Sequence, residues 1–182
     1  MKLGVLALAA ALLTGCASSE RFLWQEYTSE GIAAIGTGDF RRAEAFFKRA
    51  LAKAEELGPQ ERGIALNGLG ELYRRQGRHA DAERMLRRAI EVKEEGLGPD
   101  HPDVATSLTN LGLVYAAAGH EAEAVPVLER AAAIQEKNAG DRAPGLPRTL
   151  TALAQVYRQL GREHDAFVVE TRVKLLPEPR ER

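Results

Sequence analysis

The feature that most constrains this chain is a periodicity longer than any single helix or strand. Gly38, Gly77, Gly119 and Gly161 stand 39, 42 and 42 residues apart. Five residues after each comes an alanine: Ala43, Ala82, Ala124 and Ala166. Seven before it come Gly31, Gly70, Gly112 and Ala154, and four before it Ala34, Tyr73, Tyr115 and Tyr157. Nine after it come Phe47, Leu86, Leu128 and Glu170, and twelve after it Ala50, Ala89, Ala131 and Val173. Columns held at fixed offsets across four copies mark one repeated supersecondary unit. A unit this short cannot bury its own apolar face, so copies must stack, and at least three are needed.

Each copy reads as two helices. Leu66, Leu69, Gly70 and Tyr73 recur at helical spacing and form one packing stripe. Gly77 then falls where a helix ends in the left-handed region. Ala82, Leu86, Ala89 and Ile90 form the face of the second helix. Gly70 and Ala82 are small where the two helices must approach closely. Composition agrees: 30 alanines against 5% aromatic residues favour helix. The expected fold class is therefore all-α.

These columns resemble the tetratricopeptide repeat, over copies at about 21–58, 60–98, 100–140 and 145–176. The 42-residue period, with Leu97-Gly98-Pro99-Asp100-His101-Pro102-Asp103-Val104-Ala105 entering the third copy, is similar to the kinesin-light-chain type. The resemblance implies a right-handed superhelical solenoid of four helix hairpins. It also implies a concave groove, lined by the first helix of each copy, that holds a protein or peptide partner. The third copy is nearest the pattern. The first lacks the tyrosine, and the fourth has Ala154 for glycine and Glu170 in an apolar column. Weak end copies fit units that face solvent on one side.

Ahead of the repeats lies an address. Lys2 precedes an apolar run from Leu3 to Leu13, too short to span a bilayer but suited to a secretory signal. Leu13-Thr14-Gly15-Cys16 resembles the bacterial lipobox, which implies removal of residues 1–15 and lipid on Cys16. The alternative is an ordinary signal peptide with a chance cysteine. Under that resemblance Ala17, in place of Asp, would be permissive for export to the outer membrane, facing the periplasm. Residues 16–20 would be the lipidated cysteine and a short tether, and 177–182 a polar tail. Phe22 and Trp24 either touch the lipid interface or cap the first repeat.

Within the repeats, one stripe of each first helix is left over at i, i+4, i+7. It comprises Thr28, Ile32 and Ile35; Asn67, Glu71 and Arg74; Thr109, Leu113 and Ala116; Thr151, Gln155 and Arg158. The candidate groove is drawn from it: Asn67, Glu71, Arg74, Thr106, Asn110, Leu113, Thr151, Gln155 and Arg158. Ile32, Ile35 and Leu113 would be apolar anchors, and the amides of Asn67 and Asn110 can pair with a ligand backbone. Alternatively Asn67 and Asn110 bond locally, and Ile32 and Ile35 pack under a neighbour. Six arginines, Arg74, Arg75, Arg78, Arg84, Arg87 and Arg88, read as a solvated surface with intrahelical pairs rather than a ligand patch.

No catalytic, metal or cofactor pattern appears. His120-Glu121 opens like a zinc-protease helix, but the second histidine is absent because residue 124 is Ala124. A net charge of -1 argues against a nucleic-acid partner. The expected function is a non-catalytic scaffold or adaptor lipoprotein in an envelope complex. A glycan-binding envelope module, or a structural lipoprotein that self-associates through the apolar residues of its last helix, remains open.

Overall fold

The structure is a computed structural model that describes residues 3–177, with side chains from residue 19 onward. The helices pair into four hairpins. They are α1 (Leu3–Gly36) with α2 (Phe40–Leu57), α3 (Pro59–Arg75) with α4 (His79–Leu97), α5 (Pro102–Ala118) with α6 (Glu121–Ala139), and α7 (Leu146–Gln159) with α8 (Glu163–Leu175). A short 3-10 turn at Gly140–Arg142 separates the third and fourth hairpins. The chain is an all-α solenoid of four tetratricopeptide-like hairpins.

Residues 3–36 run as one helix, so the backbone of the leader and of the 16–20 tether continues into the first hairpin. The Cys16 side chain, on which the lipobox reading turns, lies outside the described residues, as do 178–182 of the tail. No helix among the described residues is long and apolar enough to cross a membrane.

Local chemistry sets the hairpin turn. The four repeat glycines sit at φ between +70° and +77°, a left-handed conformation that costs glycine nothing. The N–H after each glycine then donates back across the turn: Asp39 to the Ala34 carbonyl, Arg78 to Tyr73, His120 to Tyr115 and Arg162 to Tyr157, at 2.8–2.9 Å. The following helices open on a recurrent set of devices. Asp39 accepts from the Arg42 N–H at 3.0 Å, His101 accepts from the Asp103 N–H at 3.2 Å, and prolines occupy the first turns of α3, α5 and α7.

Close approach within each hairpin explains the small column. A Cβ built on Gly70 would lie 2.6 Å from Leu86 Cγ, and one on Gly112 would lie 2.5 Å from Leu128 Cγ. The two departures of the fourth copy explain each other. Ala154 has its extra methyl where the facing residue is no longer leucine but Glu170, which turns to Arg158 at 2.7 Å. The conserved spacing of Ala43, Ala82, Ala124 and Ala166 is likewise a contact requirement, since all four are buried.

Hairpins join through α2 on α3, α4 on α5 and α6 on α7, and the first helices α1, α3, α5 and α7 also touch one another in sequence. The first helices therefore form the inner layer and the second helices the outer one. One apolar core runs from Ala34 and Phe47 through Tyr73, Leu86, Tyr115 and Leu128 to Tyr157 and Ala166. Trp24 is buried against Ala50, Ala54 and Ala65, so it packs the first hairpin, while Phe22 stays exposed.

Polar groups also cross the hairpin boundaries. The Tyr73, Tyr115 and Tyr157 hydroxyls donate to Glu44, Glu83 and Glu129 of the preceding second helix at 3.0, 3.0 and 2.7 Å. Between the second and third hairpins the Lys93 ammonium is 1% exposed. It donates to the Asp103 carbonyl and to Ser107 Oγ, both at 3.0 Å. Burial pulls its pKa down to about 8, against the pull of the Asp103 charge.

Candidate functional site

The inner layer is the surface left for a partner, and its register decides which side chains face outward. The i, i+4, i+7 stripe does not lie open as a unit. In the Asn67 column, Thr28 is buried, its hydroxyl donating to the Trp24 and Gln25 carbonyls at 3.0 and 2.9 Å. Thr109 is 3% exposed and shares a 2.8 Å hydrogen bond with Thr149 of α7. In the Arg74 column Ile35 is buried in the core, which removes it as a groove anchor. Both columns lean onto the next hairpin. Thr151 and Arg158, at the same registers in α7, are exposed, as no further hairpin packs on α7 among the described residues.

The middle column is the open one. Ile32 is 64% exposed, Glu71 and Leu113 are half-buried, and Gln155 is exposed. The face continues on the side away from the stacking contact, to positions one and eight residues along from the Asn67 column. That adds Ser29 and Asn110, and beyond them Arg75, Ala117 and Gln159, whereas Gly68 is closed over by Phe47 of α2 and Ala152 is buried. A helix advances about 100° per residue, so this face is turned by about 65° from the expected stripe. Asn67 and Asn110 accordingly do not share a role. Asn67 is half-buried with its amide oxygen unpartnered, while Asn110, also half-buried, accepts from Arg148 of α7.

Two bridges run along this face between first helices. Gln60 Nε2 donates to Asp103 Oδ2 at 3.1 Å, and Arg148 donates to Asn110 Oδ1 at 3.0 Å. Thr106 is exposed between them and donates to the Pro102 carbonyl at 3.3 Å. In the second hairpin Glu71 accepts from Arg74 at 2.8 and 2.9 Å and from Arg75 at 2.8 Å. Burial raises the Glu71 pKa, but the two guanidiniums outweigh it and hold the carboxyl below the usual carboxylate range. Glu71 is thus anionic, fixed and flanked by cations.

The arginine cluster dissolves into local pairs. Arg78 and Arg84 bind Asp81 at 2.6 and 3.1 Å, Arg87 binds Glu83 at 2.8 Å, and Arg88 binds Glu91 at 3.0 Å. Arg78 also lies over the Tyr73 ring at 4.2 Å, as Arg162 does over Tyr157 at 4.3 Å. His120 occupies their register and stacks near Tyr115. Its surroundings are those of a turn, not of a metal site. Among the described residues no group of three His, Cys, Asp or Glu is placed to hold a metal.

The last hairpin presents a cleft of about 360 Å³ lined by Thr151, Ala154, Gln155, Arg158, Glu170, Val173 and Lys174. This is where the first helix of a further hairpin would lie. Columns that are apolar in the earlier copies, Leu86 and Leu128 or Ile90 and Ala132, carry Glu170 and Lys174 here. The expectation of an uncovered apolar face on α8 holds only in part. Val169 and Val173 pack inward with Leu176 on Leu146 and Leu150, and only Phe167, Val168 and Leu175 stand out.

Residues 61–137 match the tetratricopeptide repeat family model. No curated protein matches the sequence. Among solved structures, the chain is similar to a kinesin light chain-related protein of Podosopora anserina with nearly identical TPR-like repeats. That match has a TM-score of 0.68 and 23% identity over 84% of this chain and 74% of that one. It is also similar to BtubC (BKLC) from P. vanneervenii, at 0.62 and 18% over 94% of each chain. Pseudomonas aeruginosa pilF superimposes at 0.52 and 15%, over 89% of this chain and 80% of that one. These likenesses describe a shared fold.

Proposed function

We propose that this chain is a non-catalytic scaffold or adaptor, held by lipid at Cys16 on the periplasmic side of a bacterial outer membrane, that binds a protein partner in the groove of its inner layer and serves assembly of an envelope complex. Tetratricopeptide repeats mediate protein–protein interactions, and the match over residues 61–137 supports that class. The observation that carries the reading is the open column Ile32, Glu71, Leu113 and Gln155. It crosses all four first helices; Ile32 and Gln155 are exposed, while Glu71 and Leu113 are half-buried, Leu113 resting against the core at its base. Apolar anchors alternate there with a fixed carboxylate and an amide. Such a line suits an extended segment or a helix laid across the array.

The envelope reading rests on the leader and on Leu13-Thr14-Gly15-Cys16. Two acyl positions on one cysteine would hold a chain stably where one would not. Cys16→Ala is expected to abolish incorporation of labelled palmitate and to release the chain from the membrane fraction. Incorporation by the variant would refute the anchor. For the groove, Leu113→Asp with Gln155→Ala should remove co-purifying partners from an envelope extract. Undiminished recovery of the same partners would refute the groove.

A further inference from the structure

The geometry points to a second site, beside the groove, that takes the ammonium group of a partner lysine; it deepens the proposed partner reading by naming one side chain the partner presents. The site is a cleft of about 370 Å³ between the start of α5, the end of α6 and the segment that enters α7. Pro102, Asp103, Thr106, Gln135, Asn138 and Gly145 are among its walls. Thr106 is also exposed on the inner layer, so a segment in the groove passes its mouth.

Several acceptors around the cleft lack a donor, and the Gln135 amide nitrogen, itself a donor, lies beside Gly145. Gln135 is 93% buried by its 7% exposure, and its Oε1 accepts no hydrogen bond. Burying an amide oxygen without a partner is costly, so a donor that reaches it gains more than an exposed contact would. The Asn138 amide group donates to the Asp100 and Ile134 carbonyls, both at 2.8 Å, which leaves its oxygen to accept. Thr106 donates to Pro102, leaving its lone pairs. Asp103 contributes a carboxylate that accepts from Gln60, stands 4.0 Å from His101 Nδ1 and attracts the Lys93 ammonium. α6 ends here at Ala139, and the carbonyl end of a helix favours a cation.

The preceding interface shows what fits this register. Lys93 stands 42 residues before Gln135, and its acceptors Asp103 and Ser107 stand 42 before Gly145 and Thr149. There the chain supplies its own ammonium, bound to a carbonyl and a hydroxyl at 3.0 Å each. Here glutamine replaces it, while the Thr149 hydroxyl donates to the Gly145 carbonyl at 3.1 Å just as Ser107 does to Asp103 at 3.2 Å. Nearby cations do not fill the cleft. Lys93 is engaged with the Asp103 backbone, Lys137 with Asp100, and Arg148 with Asn110.

The test uses the full chain in detergent, with amide shifts followed while N-acetyl-lysine methylamide is added. N-acetyl-norleucine methylamide, which has the stem without the charge, is the parallel titration. Saturable shifts at Gln135, Thr106 and Gly145 are expected with the lysine compound only. Asp103→Asn, which keeps shape and removes charge, should weaken binding about tenfold. Gln135→Lys should fill the site from within, abolish binding and leave the melting temperature equal or higher. Equal responses to both compounds, or wild-type binding by Gln135→Lys, would overturn the proposal. Leu113→Asp should leave the titration unchanged, so failure of the groove and failure of the cleft are read separately.

Discussion

At the scale of residues, the repeat columns are contact rules, and breaking one side of a contact should be repairable from the other. Gly70→Ala puts a methyl 2.6 Å from Leu86 Cγ and should destabilise by about 1–3 kcal/mol, read by chemical denaturation. Adding Leu86→Ala should cost less than the sum of the two single changes, because the fourth hairpin already pairs Ala154 with a non-leucine. Lys93 gives a pH test. Its folded pKa of about 8 lies below the ordinary 10.5, so between those values the unfolded chain holds a proton that the folded one has released. Stability relative to Lys93→Met should therefore rise from pH 8 to 10. Tyr157 runs the other way: burial and the Glu129 carboxylate raise its pKa to about 12. Its hydroxyl contribution, about 1–2 kcal/mol against Tyr157→Phe, should persist below pH 10 and fade toward pH 12.

At the scale of elements, each first helix was legible as a helix, but its outward face was not. The i, i+4, i+7 stripe collects residues that the intrahairpin contacts do not use. Sequence spacing shows nothing of how far the next hairpin leans over. Thr109 was unremarkable in sequence, yet Thr149 closes on it from 40 residues away. The tyrosine hydroxyls were also missed as joints. A signal existed, since Glu44 and Glu83 each directly follow the repeat alanine. It fails at the third copy, where Val125 takes that place and Glu129 does the bonding. For α8 the exposures predict a split. Phe167→Glu and Val168→Lys should change stability by less than about 0.5 kcal/mol, while Val169→Asp should cost about 2 kcal/mol or more in thermal melts.

At the scale of the whole molecule, stability belongs to neighbouring pairs of hairpins, and unfolding should start at an end. The fourth hairpin has one neighbour and a polar outer face, whereas the third is packed on both sides. Native-state hydrogen exchange should show α8 amides opening before those of α4 and α5. Uniform protection across all four hairpins would contradict this.

The chain's residues alone determined the class, the number of hairpins, the turn positions and the small-residue contacts. All of these follow from offsets along one strand of covalent chain. The tertiary structure alone decided which first-helix column is open, that Ile35, Thr28 and Thr109 are interior, and that Gln135 borders an unfilled cleft. Those facts depend on the angle at which one hairpin meets the next. That angle is set by many side chains at once, so no single spacing records it.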